Sequence, residues 1–153
     1  IGEIFNQNNI NIPLLRHHIK KENVFFKLDF NTKEDCLYFM IKKLEKDDIV
    51  KEGFRKSVYK RENIGSAVLE NGVAIPHGLP TEVNEIGLVI LTLKRPIRWS
   101  TSWVDMIVLI AVPEDKIIEF ESMVLELYEM ISNTDVLEEI KKIKSIDECT
   151  FEK

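Results

Sequence analysis

Two kinds of apolar pattern alternate along this chain of 153 residues. One has helical spacing. Leu37, Met40, Ile41 and Leu44 recur on one face after Thr32, which offers a capping oxygen, with Glu34 and Asp35 in the first turn. A second helix is expected over 52–62, with Phe54 and Val58 facing inward. A third runs from Lys116 to Ser132 on the stripe Ile117, Phe120, Val124, Leu127 and Ile131. After Asn133, 135–144 carries Val136, Ile140 and Ile143, and 12–22 predicts a short helix with Pro13 in its first turn. The other pattern is continuous. Residues 86–93 (IGLVILTL) and 104–112 (VDMIVLIAV) are nearly unbroken in Val, Ile and Leu, as expected of strands covered on two faces. Pro113 ends the second.

Shorter strands complete the picture. VFFKLDF at 24–30 is β-prone and partly alternating. Asn71-Gly72 lies between the apolar runs SAVL and VAI, a strong hairpin signal that forces at least one antiparallel pair. Helices, strands and then more helices add up to an α/β layer sandwich.

Composition narrows the class. A hydrophobic share of 44% and a charged share of 31% are those of an ordinary soluble protein. No apolar run approaches the about 20 residues that span a bilayer, and the start IGEIFNQNN, polar around Asn6, Asn8 and Asn9, lacks a signal-peptide pattern. A cytoplasmic location is expected. The net charge of -5, with Lys and Arg dispersed, argues against a grip on nucleic-acid phosphates. Cys36 and Cys149 stand far apart without CxxC partners and are expected to be reduced. The first residue is not Met, so a longer parent chain is expected.

The candidate chemistry sits in 71-NGVAIPHGLP-80. Pro76 fixes φ and cannot donate a backbone hydrogen bond, so the strand should stop there. His77 is thereby delivered to a strand end, where α/β proteins place their chemistry. Gly78 leaves room beside the ring for backbone N–H groups to approach what it carries. An ordinary imidazole is mostly neutral in the cytosol, and its free ring nitrogen is a nucleophile. The bland alternative is a capping or core histidine. No HExxH, phosphate-binding P-loop or GxSxG elbow occurs, and nothing at metal-ligand spacing accompanies His77. His17 and His18 are adjacent, diverge on a helix and read as surface residues. No metal or cofactor is expected.

The segment 61-RENIGSAVLENGVAIPHG-78, together with 96-PIRW-99 and the strand end Val112-Pro113, closely resembles the signature of enzyme IIA domains of the fructose/mannitol class. These belong to the bacterial phosphoenolpyruvate:sugar phosphotransferase system, and the resemblance covers roughly Val24 to Phe151. It implies a three-layer sandwich, a mixed sheet with helices on both faces, formed by 23–153 after a lead-in segment over 1–22. It also implies a phosphocarrier rather than a stand-alone turnover enzyme. His77 would accept the phosphoryl group from the phosphocarrier protein HPr, Arg61 would clamp it, and Ser66 and the backbone at Gly78 would add donors. Transport-type members carry a second histidine near the start of the helix after the Val-Pro strand. Here Phe120 falls at that place. Together with the tail that follows, this resembles the IIA-like domains at the ends of transcription regulators and antiterminators that carry phosphotransferase regulation domains. Three readings therefore stand: a regulatory domain phosphorylated on His77, a transport component passing phosphate to a sugar-specific IIB, and a binding module whose His77 is structural. The sequence names no sugar.

Overall fold

The computed structural model describes residue 8 and residues 10–145; Asn6, Asn9, Cys149 and Phe151, on which expectations fell, lie outside that range. The continuous apolar runs become the middle of one five-stranded sheet. Its strands are β1 (Val24–Leu28), β2 (Val68–Leu69), β3 (Val73–Ala74), β4 (Gly87–Trp99) and β5 (Ser102–Ala111), in the order β1-β4-β5-β3-β2. The first seven residues of β4 are all buried, as the unbroken pattern requires when both faces are covered. The sheet is mixed: β1 with β4 and β3 with β5 are parallel, while β4 with β5 and β2 with β3 are antiparallel.

Five helices cover it among the described residues: α1 (Pro13–His18), α2 (Lys33–Lys46), α3 (Phe54–Ile64), α4 (Ile117–Ser132) and α5 (Thr134–Lys142). The period of two along β4 and β5 divides the core. Ile90, Val108 and Ile110 pack with Leu15, Met123, Leu127, Ile131 and Ile140 on one face. Leu91, Ile107 and Leu109 pack with Leu37, Met40, Ile41, Leu44, Phe54 and Val58 on the other. The expected layers are those observed. Thr32 caps α2, its Oγ1 accepting from Asp35 N at 3.1 Å, and Asn133 caps α5 by accepting from Val136 N at 3.1 Å.

Several boundaries differ from the sequence expectation. The first helix ends at His18, and a separate turn over Lys21–Asn23 leads into β1. β1 stops at Leu28, short of Phe30; within it the register with β4 shifts between Phe25 and Leu28, where Lys27 takes a φ of 56° and turns its N–H to Thr92 Oγ1 at 3.0 Å. β4 continues six residues past Leu93 through PIRW, pairing Ile97 with Val104 and Trp99 with Ser102 around a turn where Ser100 has a φ of 59°. Pro96 falls in the irregular stretch of that ladder between Thr92 and Ile97, where no ladder donor is needed.

The expected hairpin forms with a three-residue loop, Glu70–Gly72, in which Asn71 and Gly72 both have positive φ (61° and 76°). Lys141 Nζ pins it, lying 2.6 Å from Asn71 O and 2.8 Å from Asp105 Oδ1. Beyond β3 the chain does not leave the sheet at Pro76. Ile110 N donates to Pro76 O at 3.1 Å, and His77 still bridges Ile110 in parallel. The lead-in helix is part of the core: Glu126 of α4 accepts the N–H groups of Leu14 (3.1 Å) and Leu15 (2.9 Å). Cys36 is a buried free thiol whose pKa burial pushes up to about 12. No described helix is long and apolar enough to cross a membrane.

Candidate functional site

His77 is fixed from its backbone outward. Ile75 N donates to Ala67 O at 2.8 Å, which ties the strand leading to His77 to the loop that follows α3. The ring is half-buried, and Nδ1 lies 3.1 Å from Ile75 O. A carbonyl can only accept, so Nδ1 carries the hydrogen and Nε2 carries the lone pair. Among the described residues nothing hydrogen-bonds Nε2. Among the described residues the aromatic neighbour of the ring is Phe120 of α4, with centroids 5.4 Å apart and planes tilted by 54°. The position at which family resemblance asks for a second histidine thus lies against His77, and it presents carbon instead of nitrogen.

Gly78 has a sterically specific place. A Cβ there would come within 2.5 Å of Ser57 Oγ and 2.9 Å of the Phe54 ring. Ser57 Oγ donates to Phe54 O (2.7 Å) and accepts from Leu79 N (3.0 Å), so the turn after His77 is held against the start of α3. Close approach to the helix is a sufficient reason for a glycine, besides any contact of its N–H with a ligand.

Arg61 is not aimed at the imidazole. Its Nη1 donates to Gly65 O, closing the C-terminal turn of α3. That turn adjoins Ala67, the partner of Ile75, so the guanidinium belongs to the loop beside the His77 strand without touching the ring. Ser66 is also engaged: its Oγ donates to Glu62 Oε1 at 2.8 Å.

Sequence reasoning missed the group that organises this loop. Glu62 is only 5% exposed, and its Oε1 also accepts from Trp99 Nε1 at 3.1 Å and faces Lys33 Nζ at 3.3 Å. Lys33 Nζ lies 3.5 Å from Ser66 Oγ and 5.8 Å from the centre of the Trp99 ring. A carboxylate this deep needs paired charge and hydrogen bonds to stay. The four residues come from α2, α3, the following loop and β4. Arg-Glu and PIRW were visible as motifs, but nothing in their spacing says that Glu62 meets Trp99. Among the described residues no cluster of His, Cys, Asp or Glu of metal-binding size is assembled.

Solved structures share this fold. IIA mannitol from Escherichia coli superposes with a TM-score of 0.73 at 22% identity, covering 85% of this chain and 94% of that one. Nitrogen regulatory protein IIA-Ntr from Neisseria meningitidis gives 0.75 at 19% identity, covering 88% and 95%. A complex of enzyme IIAMTL with phosphorylated enzyme IIBMTL from Escherichia coli gives 0.74 at 21%, covering 85% and 92%. By sequence, the chain is 28% identical over 133 residues to a "Probable licABCH operon regulator" of Bacillus subtilis (strain 168), covering 87% of this chain and 21% of the regulator. It is 27% identical over 113 residues to the 2-O-alpha-mannosyl-D-glycerate-specific EIIABC component of Escherichia coli (strain K12), covering 70% and 17%. The chain therefore spans about a fifth of the length of these relatives, whereas it covers 89% of a mannitol-specific enzyme IIA component of Staphylococcus aureus to which it is 24% identical over 128 residues. The model of the family described as phosphoenolpyruvate-dependent sugar phosphotransferase system, EIIA 2, matches residues 17–150, and the chain belongs to that family.

Proposed function

We propose that His77 is the phosphoacceptor of this phosphotransferase-system IIA domain and that HPr is its donor. The observation that carries the reading is the ring's polarity: Nδ1 is committed to Ile75 O, and Nε2, without a hydrogen-bond partner among the described residues, is the nucleophile. In the step, Nε2 bonds to phosphorus as the nitrogen–phosphorus bond of the donor's phosphohistidine breaks. The donor imidazole keeps that electron pair. The hydrogen stays bound to Nδ1 and donated to Ile75 O, and that acceptor steadies the positive charge that develops on the ring as the new bond forms. Such transfer needs alignment and charge stabilisation rather than covalent assistance. Arg61 would supply the charge by releasing Gly65 O and swinging its fork to the phosphoryl oxygens. The backbone N–H of Gly78 is a further donor, and Ser66 contributes if its hydroxyl leaves Glu62.

The regulatory reading is favoured over transport by Phe120 and by the likeness to an operon regulator. A phenyl ring against His77 cannot hydrogen-bond a phosphoryl oxygen or share a proton, so the phosphorylated state lacks the support that onward transfer uses. As a signal, the group would add about -1.5 to -2 charges at one strand end, enough to alter docking between 23–153 and neighbouring parts of a longer chain. Transport, with phosphate passing to a sugar-specific IIB, is the second reading. It is supported by the likeness to mannitol components and to a IIA solved with its IIB.

The test is incubation with phosphoenolpyruvate, enzyme I and HPr, read by intact mass. A gain of one acid-labile phosphate, lost in His77→Ala, is expected. A folded protein that gains nothing leaves only the binding-module reading. Adding a cognate IIB and following the label separates the other two: retention fits a signal, rapid loss to IIB fits transport.

A further inference from the structure

A second site lies on the outer flank of α2, where the edge strand β1 runs beside it. Phe30, Tyr38 and Phe39 with Asp35, Lys42, Lys43 and Lys46 line a cavity of about 470 Å³. The aromatic rings form its floor. Phe39 packs edge-on against Phe25 with centroids 4.9 Å apart, and lies 5.3 Å from Phe30. Lys42 and Lys43 lean on aromatic rings instead of on carboxylates. Lys43 Nζ sits 4.8 Å above Phe39 and 5.2 Å above Phe25, and Lys42 Nζ sits 5.4 Å above Tyr38. Among the described residues none of the three lysines has an ion-pair partner, although the chain carries a net charge of -5. Carboxylates are plentiful, yet this groove keeps its cations unpaired over an apolar floor.

We propose that this groove docks an acidic protein segment that carries an apolar anchor. Two features select a segment over a small anion. Lys42 and Lys43 rest over different rings, the first over Tyr38 and the second over Phe39 and Phe25, so their ammonium groups are held by separate aromatic faces. The groove is also open along its length, with Tyr38 53% exposed and Lys42 and Lys46 exposed beside it. Spaced carboxylates on an extended or helical segment match spaced cations, while an apolar side chain fits the floor of Phe30 and Phe39. Asp35 at one end sets direction: it repels the acidic part, which therefore lies towards Lys42 and Lys46.

The groove is remote from His77. Counted through the sheet, the β1 end at Leu28 and the bridge at His77 are separated by about 17 Å along the strands and about 14 Å across them. A segment held here leaves the imidazole open to a phosphoryl donor. The domain can thus be tethered by one face and modified at the other. Because the inference does not rest on His77 being phosphorylated, the two readings fail independently.

The test uses the chain as it stands with a fluorescein-labelled peptide of about a dozen residues, glutamates alternating with leucine and one tryptophan. Anisotropy titrations at low and high salt give affinity and its screening. Binding that weakens with salt is expected, and it should weaken about tenfold or more in the exposed pair Lys42→Glu with Lys46→Glu. A peptide with the glutamates kept but leucine and tryptophan replaced by glycine should bind more weakly, and His77→Ala should bind as the parent does. Equal affinity for the parent and the charge-reversed pair overturns the proposal. So does the absence of binding up to about millimolar peptide. Titration with inorganic pyrophosphate, read by amide shifts of α2, decides against a segment if it saturates the groove where the peptide does not.

Discussion

The neighbourhoods of His77 and Glu62 lie on either side of one short loop, and they differ in how many donors they gather and in how far they are closed to water. Around Glu62 the fold brings three donors to one carboxylate oxygen: Ser66, Trp99 and Lys33. The carboxylate is closed off from water. Around His77 the fold satisfies one ring nitrogen with Ile75 O, gives the other no hydrogen-bond partner among the described residues, and covers one side of the ring with Phe120. The two are linked, because Ser66 belongs to the first and its neighbour Ala67 accepts the Ile75 N–H of the second. A buried carboxylate gripped by three donors at Oε1, its Oε2 buried without a hydrogen-bond partner among the described residues, holds the loop, and a half-buried imidazole remains available to react. Stability and reactivity are thus assigned to different ends of the same motif.

That contrast can be broken from either side. The largest effect expected is on phosphoryl uptake in His77→Ala, which should be abolished while the urea midpoint stays near that of the parent, because the side chain is half-exposed at the margin of the sheet. A large stability loss would move His77 into the structural category. Glu62→Ala should do the reverse. It strands the Trp99 N–H and a largely buried Lys33 ammonium, so a loss of about 1–3 kcal/mol in urea unfolding is expected, with uptake retained in the folded fraction. Glu62→Gln keeps an acceptor and should lose less.

Arg61→Ala is expected to slow uptake about tenfold to a hundredfold, with little change in its endpoint, since one charged donor is removed from the transition state. Unchanged rates would confine Arg61 to its bond with Gly65 O. Phe120→His restores a polar ring against His77, and the expected result is a longer-lived phosphorylated state or faster transfer to a IIB, read by label half-life. A smaller effect concerns pH. Burial chiefly, with His17 next, lowers the pKa of His18, against a raising influence of Glu119 and further lowering by Lys20 and Lys116. The unfolded state therefore binds the proton more readily between the depressed folded value and about 6.5. Stability should rise with pH through that window, and His18→Gln should flatten the rise in urea midpoints measured across it. His18 is half-buried and edge-on to His17 at 4.8 Å, so it is not the plain surface residue that its sequence context suggests.

Much of the fold was legible because it rests on local rules. The caps at Thr32 and Asn133, the helical stripes of α2, α4 and α5, and the Asn71-Gly72 turn are each specified by residues within a few positions of one another. The unbroken runs in β4 and β5 announced two covered faces. The extension of β4 through PIRW was not legible, since a ladder continued past an irregular stretch and closed by Ser100-Thr101 carries no strong turn signal. Nor was the irregularity inside β1, where the Lys27 N–H turns to Thr92 of the neighbouring strand.

For the site, the sequence alone determined that a histidine follows Ile-Pro at the end of a short strand and that Phe120 lies in the stripe of a later helix. Local propensity and spacing suffice for that. Only the tertiary structure decided that Phe120 meets His77, that Arg61 turns to Gly65 O, and that Glu62, Trp99, Lys33 and Ser66 share one buried cluster. These contacts join elements far apart in the chain. Which side chains meet there depends on strand order, register and the seating of helices on the sheet, and those follow from packing the whole core at once.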